Sequence, residues 1–167
     1  MSNNRMSIDE VMLAVAAVMA ARSTCARRAV GCVLTDARGR ILATGYNGVS
    51  RGVAHCLSEQ PCPSVGAVSG TNLDDCAAVH AEQNAILMLA DPDRVETCYV
   101  TASPCTSCVK LLLNTTTKRI VFLNEYGDQK GAALWRETQR TWHHHKIRRP
   151  LVIFDYVLRA LNDRGVI

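Results

Sequence analysis

Aromatic side chains are scarce in this chain: two Trp, four Tyr and two Phe account for only 5% of its 167 residues. Proteins that hold single-stranded nucleic acid stack its bases on aromatic rings along a strongly basic groove. The formal net charge here is only +4, and most of the positive charge is carried by arginine. A balance of this size suits a small anionic ligand and gives little support for a nucleic-acid partner.

The sequence also lacks a long apolar run. The longest, from Val11 to Ala21, is too short to span a bilayer. Polar residues precede it at 1–5, and no cleavage pattern of a secretory leader follows. Repeats, low-complexity segments and linkers are absent from the sequence as well. We therefore expect a cytoplasmic protein without membrane association, folded as a single domain over residues 1–167.

Cysteine, in contrast, is abundant: the chain has eight. A chain of this length can build a core without disulfides, so metal binding explains them better. His80, Cys105 and Cys108 offer three ligands for a tetrahedral zinc ion and leave its fourth corner to water, as catalytic sites do. Glu82 would take a proton from that water, whose pKa zinc lowers to roughly 7. The alternatives are a redox Cys-x-x-Cys pair and a closed structural zinc, which would not need Glu82.

The first metal-binding motif is predicted to lie at the start of a helix. Apolar residues recur at helical intervals from Ala78 to Leu89, which places His80 and Glu82 in the first turn. Residues two apart point to different sides of a helix, so Glu82 should flank the metal ion rather than bind it.

A second helix is predicted to carry the two cysteines. Ser103 is a favourable N-cap residue, and Pro104 suits the first helical position. Cys105 and Cys108 then lie three apart on one face of the opening turn. The positive end of the helix dipole favours their thiolate form.

The rest of the chain alternates helices with strands. Further helices are predicted at 8–21, where Ser7 is the cap, 131–140 and 155–164, and strands at 29–35, 40–46, 97–101, 119–123 and 141–148. Residues 36–39 form a hairpin turn, and a Cys-rich loop insertion follows at about 47–76. This order predicts an α/β fold, a three-layer α/β/α sandwich around a mixed five-stranded sheet. Both metal-binding helices would begin at one end of that sheet.

Two segments hold the metal-site pattern: His80-Ala-Glu-Gln-Asn-Ala-Ile86 and Ser103-Pro-Cys-Thr-Ser-Cys108. Others precede them: Arg22-Ser-Thr-Cys25, Val30-Gly-Cys-Val33, and Gly45-Tyr-Asn-Gly48 followed by Gly52 and His55-Cys56. Over about residues 8–127 the chain resembles the deoxycytidylate (dCMP) deaminases of the zinc-dependent cytidine deaminase superfamily. The resemblance implies a cytidine deaminase-like fold and hydrolysis of dCMP to dUMP and ammonia, which supplies dUMP for thymidylate synthesis.

The resemblance also implies a role for each residue of the metal site. His80, Cys105 and Cys108 would hold the catalytic zinc. Glu82 would deprotonate the zinc water, protonate ring nitrogen 3 and later pass a proton to the departing amine. Attack at carbon 4 would give a tetrahedral intermediate that collapses to products.

Five positions are candidates for binding the nucleotide: Asn47, Ala81, Ser103, Tyr126 and Arg27. Asn47 would bond the sugar hydroxyl, or it is a turn residue that tolerates left-handed geometry before the next glycine. Tyr126 would line the base or phosphate pocket, or it is a plain surface residue. The 5′-phosphate needs a cation, for which Arg28 and Arg51 are as suitable as Arg27, unless all three are simply solvated.

Four further cysteines lie in or beside the 47–76 loop: Cys25, Cys56, Cys62 and Cys76. In a reducing compartment they fit a second, closed zinc site that would tie the loop down. Some phage dCMP deaminases are similar in having such a zinc, with cysteines at the positions of Cys25 and Cys56. The rest of that ligand set does not match cleanly here, and His55 could replace one cysteine. The alternative is four free thiols, whereas Cys32 and Cys98 lie inside strands as buried apolar side chains.

The triple His143-His144-His145 is interpreted as a basic, partly exposed edge, with Arg148 and Arg149 nearby. Successive residues of an extended segment point to opposite faces, so the three rings cannot converge on one metal ion.

The resemblance further implies regulation by dCTP and dTTP, with Mg²⁺ accompanying these nucleotide effectors, and a homo-oligomer, either hexamer or dimer. The preferred nucleotide stays open between dCMP, a 5-modified dCMP and dCTP. Two alternatives come from other classes of protein. One is a deaminase of cytosine or adenine in tRNA or single-stranded DNA, and the other is a zinc-stabilised binding module without activity.

Overall fold

The computed structural model describes residues 6–56, 62, 76–127 and 129–146. The α-helices in this part are α1 (Ile8–Ala20), α2 (Ala81–Leu87), α3 (Thr106–Leu113) and α4 (Gln129–Glu137), and a short 3-10 helix lies at Pro92–Arg94. The strands are β1 (Gly31–Thr35), β2 (Ile41–Tyr46), β3 (Gly48–Val49), β4 (Ala78–Val79), β5 (Thr97–Ala102), β6 (Arg119–Asn124) and β7 (Thr141–His144). The helix predicted at 155–164 lies outside the described residues. Within them, every helix is too short or too polar to cross a membrane.

Five of these strands form one mixed sheet in the order β2-β1-β5-β6-β7. β1 pairs antiparallel with β2 and with β5, whereas β6 runs parallel to β5 and to β7. All residues of β1 and β5 are buried, because both faces of the sheet are covered at its centre. β3 and β4 form a separate antiparallel pair inside and beside the segment predicted to be only a loop.

Helices cover both faces of this sheet. On one face, α1 packs against side chains of β1, β5 and β6: Val33, Tyr99 and Val121. On the other face, α2, α3 and α4 cover a larger core that contains Leu112, Ile120, Phe122 and Trp135. The predicted three-layer α/β/α sandwich with a mixed five-stranded sheet is thereby confirmed.

The first turn of α1 is fixed by its cap and by contacts with the sheet. The Ser7 hydroxyl accepts the Glu10 N–H at 3.2 Å, and the Glu10 carboxylate accepts the Ser7 N–H at 2.7 Å, so Ser7 is the N-cap as predicted. The Asp9 carboxylate accepts the Tyr99 hydroxyl at 2.8 Å and an Arg119 N–H at 2.9 Å. These bonds hold the start of α1 over β5 and β6.

The hairpin between β1 and β2 turns around one carboxylate. Asp36 accepts the backbone N–H groups of Arg38 and Arg40 at 2.9 Å and the Arg40 Nε–H at 2.7 Å. These bonds, the Arg40 backbone N–H foremost, hold the pKa of Asp36 below its ordinary value. The turn predicted at 36–39 is therefore stabilised in its ionised form.

Two helices approach the sheet so closely that only glycine fits beneath them. A Cβ on Gly45 of β2 would collide with the backbone carbonyl of Ala81 in α2. A Cβ on Gly31 of β1 would collide with the Ala16 carbonyl in α1. Gly45 therefore sets the height at which α2, and the histidine before it, lies over the sheet.

Candidate metal centre

The helix that follows the histidine motif begins three residues later than predicted. α2 starts at Ala81, so His80 is its N-cap residue instead of part of the first turn, and the two residues before it pair as β4 with β3. The His80 N–H donates to the Gln83 side chain at 2.8 Å, and the Asn84 side chain donates to the Tyr46 carbonyl at 2.8 Å. Neither of these two hydrogen bonds was predicted from the sequence. Glutamine three residues after an N-cap residue is the signal that would have indicated the first.

The cysteine helix also begins later than predicted, two residues after its proline. α3 starts at Thr106, with Cys105 as its N-cap residue. Ser103, the predicted N-cap, continues the sheet instead, because its N–H donates to the Asn124 carbonyl at 2.8 Å. Its hydroxyl accepts the Tyr126 N–H at 2.7 Å and is therefore not used to cap the helix.

The structure brings the three predicted metal ligands together. His80 Nδ1 lies 3.3 Å from Cys105 Sγ and 3.4 Å from Cys108 Sγ, and all three ligand atoms lie within 4.8 Å of one another. A tetrahedral zinc with bonds of about 2.1 Å to nitrogen and about 2.3 Å to sulfur holds such atoms about 3.5 Å apart. The donor types and their spacing therefore fit a zinc ion bound through Nδ1 of His80.

The charges of these ligands are coupled. The pKa of the Cys105 thiol is lowered to about 4, chiefly because the Cys108 thiol donates a hydrogen bond to it. The same contact, together with burial, raises the pKa of Cys108, and the contact with Cys105 raises that of His80. Without a metal ion, these contacts favour a thiolate at Cys105 and a neutral thiol at Cys108. A bound cation would favour deprotonation of Cys108 as well.

Glu82 lies beside this ligand set but is not one of its members. Its side chain is 4% exposed, and the Cys108 thiol is a hydrogen-bond partner of its carboxylate. Burial raises the pKa of Glu82 to about 7. A carboxyl with that pKa exchanges protons readily near neutral pH, as a general base and acid must.

Contacts between side chains and backbone connect several of the predicted nucleotide-binding residues into one series, which begins next to the metal ligands. Ser103, two residues before Cys105, bonds the backbone of Tyr126. The Arg28 guanidinium lies over the Tyr126 ring, 5.7 Å from its centroid. The carbonyl of Arg28 in turn accepts the Asn47 side-chain N–H at 2.8 Å. We call this series from Asn47 through Arg28 and Tyr126 to Ser103 the rim.

The remaining candidates are placed as follows. The Asn47 carboxamide oxygen accepts the Ser23 hydroxyl at 2.7 Å and the Val30 N–H at 2.8 Å, so this buried side chain organises the segment before β1. Ala81 is fully buried at the start of α2. Arg27 is half-buried, and Arg51 is exposed. Substrate contacts by these residues stay predictions.

The four cysteines predicted for a second metal lie in one neighbourhood. Burial raises the pKa of the Cys56 thiol, Cys62 adds to the rise as a hydrogen-bond partner, and the charges of Cys25 and Cys76 contribute further. All eight cysteines of the chain are free thiols. Within the described residues, however, no three of these four sulfur atoms lie within 4.8 Å of one another, as the ligand atoms of the His80 centre do.

The histidine triple separates into two faces. His144 stacks on Phe122 with ring centroids 5.1 Å apart, whereas His143 and His145 share the opposite face with centroids 5.8 Å apart. The three rings do not converge, as predicted. Two of them do converge with the Asp9 carboxylate, which the sequence of the segment itself could not indicate.

Comparisons with known proteins agree with this geometry. The family profile described as "Cytidine and deoxycytidylate deaminase zinc-binding region" matches residues 6–124. The deoxycytidylate deaminase of Schizosaccharomyces pombe is 38% identical over 136 residues, which cover 78% of this chain and 41% of that protein. The deoxycytidylate deaminase of Mycobacterium phage D29 is 39% identical over 125 residues, which cover 70% of this chain and 94% of that protein.

A solved structure of a dCMP deaminase from the cyanophage S-TIM5, in complex with dCMP and dUMP, has a TM-score of 0.68 at 25% identity. The alignment covers 84% of this chain and 100% of that one. The chain spans about two fifths of the length of the relatives from Schizosaccharomyces pombe and Saccharomyces cerevisiae.

Proposed function

This chain belongs to the cytidine and deoxycytidylate deaminase zinc-binding family, and we propose that it is a zinc-dependent enzyme that hydrolyses dCMP to dUMP and ammonia. The observation that carries the proposal is a His–Cys–Cys ligand set at zinc spacing with the buried Glu82 beside it. The relatives named deoxycytidylate deaminase, and the phage enzyme in complex with dCMP and dUMP, support dCMP as the nucleotide.

His80, Cys105 and Cys108 would hold the zinc ion. When bound, this ion supplies a Lewis acid and a water whose pKa is lowered to about 7. The two sulfur ligands lie at the N-cap and in the first turn of α3, where the helix dipole stabilises negative charge. Three protein ligands leave one coordination position for the reacting water.

Glu82 would carry the proton transfers. As a carboxylate it takes a proton from the attacking water, and as a neutral carboxyl it gives that proton to ring nitrogen 3. A second proton follows the same route to the amine that leaves carbon 4, so that dCMP and water become dUMP and ammonia. Both forms of Glu82 must be accessible at working pH, and the rise of its pKa to about 7 supports this role.

We assign nucleotide binding to the rim and to the start of α2. Tyr126 and Ser103 would line the pocket, Asn47 would reach the sugar hydroxyl, and the backbone at Ala81 would face the base. A cation must meet the 5′-phosphate, and Arg27 is the predicted one. Of the two arginines named as equally suitable, Arg28 lies over the Tyr126 ring, which supports it as a candidate beside Arg27.

A second, structural zinc would lie among Cys25, Cys56, Cys62 and Cys76. The influence of the other three cysteines on the Cys56 thiol supports a shared site, and their free state is compatible with ligand thiolates. Such an ion would hold a Cys-rich insertion at about 47–76 against the single deaminase domain, which we take to be residues 1–167.

Assembly, regulation and compartment also belong to the proposal. Leu87 and Met88 at the end of α2 are 75% and 70% exposed, a pair of apolar side chains that supports burial in a homo-oligomer, hexamer or dimer. Regulation by dCTP and dTTP with Mg²⁺ is proposed from family membership alone. Free thiols throughout support a cytoplasmic location.

The test combines turnover with metal analysis. Wild-type protein is assayed on deoxycytidine, dCMP, 5-methyl-dCMP, 5-hydroxymethyl-dCMP, dCTP and CMP, with and without dCTP and dTTP as effectors. We expect dCMP to be preferred, and Glu82→Gln to retain zinc while its kcat falls by about 10²- to 10⁴-fold. Equal turnover in Glu82→Gln would remove that residue from the mechanism.

The number of zinc ions per chain, measured in variants of each cysteine set, tests the catalytic site and the structural site separately. After dialysis against metal-free buffer, we expect two tightly held zinc ions per wild-type chain, one in Cys105→Ala and one in Cys62→Ala. Only Cys105→Ala should lose all activity. A wild-type content of one zinc would refute the second site and leave the first unaffected.

A further inference from the structure

Asp9, His143 and His145 form a second group of metal-ligating side chains in the described part of the chain. One carboxylate oxygen and one nitrogen from each imidazole lie within 4.8 Å of one another. The group lies on the α1 face of the sheet, whereas α2 and α3, with the His80 centre, lie on the other face. It is therefore independent of the proposed deaminase site.

The edge strand brings the two imidazoles to one face. His143 pairs with Val121 of β6, and the backbone N–H of His145 donates to the Phe122 carbonyl at 2.8 Å, so the extended conformation continues through His145. Residues two apart in an extended segment point to the same face. His143 is exposed, which leaves its ring free to adjust to an ion.

The carboxylate comes from a distant part of the sequence and is already oriented. Asp9 lies in the first turn of α1, and its two oxygens accept the Tyr99 hydroxyl at 2.8 Å and an Arg119 N–H at 2.9 Å. Carboxylates that bind metal ions are held in this way by hydrogen bonds from outside the ligand set. Each oxygen has a second lone pair for an ion.

We propose that Asp9, His143 and His145 bind a divalent first-row transition-metal ion at the edge of the sheet. Two imidazoles and one carboxylate suit zinc, nickel or copper, whereas magnesium prefers an all-oxygen set. The ligand atoms lie within 4.8 Å of one another, and a bound ion needs them about 3.0–3.5 Å apart, so any remaining gap is small enough for the exposed His143 ring to close. The nearby Arg119 cation lowers the affinity and so makes this a weaker site than the His80 centre.

A bound ion would join the first turn of α1 to β7. β7 pairs with β6 on one side and is the last strand of the sheet among the described residues. The ion would therefore fasten an edge strand to the helix that covers its neighbours.

The test is calorimetric titration of Ni²⁺, and separately of Mg²⁺, into protein that was loaded with zinc and then dialysed against metal-free buffer, so that zinc stays only at the tighter cysteine sites. We expect wild type to bind one more Ni²⁺ than the His143→Asn, His145→Asn double variant, and no Mg²⁺ at this site. Each single variant, and Asp9→Asn, should weaken this Ni²⁺ binding at least tenfold. His144→Gln is the matched control on the opposite face and should stay within twofold of wild type.

The cysteine sites are unchanged in all these variants, so differences between them report on this cluster alone. Equal Ni²⁺ stoichiometry in wild type and the double variant would overturn the proposal, and so would equal losses in His144→Gln and His143→Asn. Unchanged affinity in Asp9→Asn would overturn the carboxylate's part in it. If any other variant fails to fold, the exposed His143→Asn decides the outcome by itself.

Discussion

Replacing Glu82 by glutamine should stabilise the zinc-free protein at alkaline pH. Burial raises the pKa of Glu82 from 4.5 to about 7, because the ionised carboxylate is disfavoured in this dry position. The folded pKa lies above the unfolded one, so the neutral carboxyl favours the folded state. That contribution is complete below pH 4.5 and is lost as the pH rises through 7.

The size of the effect follows from the pKa difference. A pKa difference of one unit corresponds to about 1.4 kcal/mol. The raised pKa of Glu82 therefore lowers the free energy of unfolding by about 3 kcal/mol at pH 8, and by less than about 1 kcal/mol at pH 5. Glutamine has nearly the same shape and no charge to bury. The variant should therefore gain about 2 to 3 kcal/mol relative to wild type between pH 5 and pH 8.

The assay is urea unfolding of chelator-treated, reduced protein at both pH values, followed by circular dichroism. Glu137→Gln is the control, because Glu137 is exposed at the end of α4, and it should give no difference between pH 5 and pH 8. Zinc should reduce the gain, since a nearby cation favours the Glu82 carboxylate. A variant that is no more stable than wild type at pH 8, or that gains equally at both pH values, would contradict the reasoning.

Two further predictions concern the scaffold. Gly45→Ala should cost about 1–3 kcal/mol of stability and weaken zinc binding, because its methyl group pushes α2 and His80 away from the sheet; thermal melts and zinc competition measure both effects. Asp36→Asn should make the free energy of unfolding depend less on pH at acid pH. The lowered pKa of Asp36 gives stability that is present above pH 3.8 and lost as the pH falls further, so urea melts from pH 5 to pH 2 should converge for the two proteins.

The parts of the fold set by local sequence signals were predictable. Ser7 with Glu10 marks the start of α1, and the hairpin turn carries its own carboxylate, Asp36. The layer order followed from the alternation of predicted helices and strands. The family followed from the motifs, and the family profile confirms that resemblance.

The predicted starts of α2 and α3 were wrong for a physical reason. Ala78–Val79 pair with Gly48–Val49, a partner about thirty residues away that outweighs local helical periodicity. Ser103 resembles a helix cap in isolation, but its hydroxyl is occupied by the N–H of Tyr126. The meeting of Asp9 with His143 was equally hidden, because it depends on how α1 crosses the finished sheet.

One strand separates the two halves of the metal centre. His80 precedes α2, and Cys105 lies three residues after the end of β5, so the distance between them depends on where β5 lies between β1 and β6. A slip of one residue along β5 would displace Cys105 by about 3.3 Å, as far as the whole separation of His80 Nδ1 and Cys105 Sγ. Substitutions in β5 that change its register should therefore weaken metal binding, even where they contact none of the metal ligands.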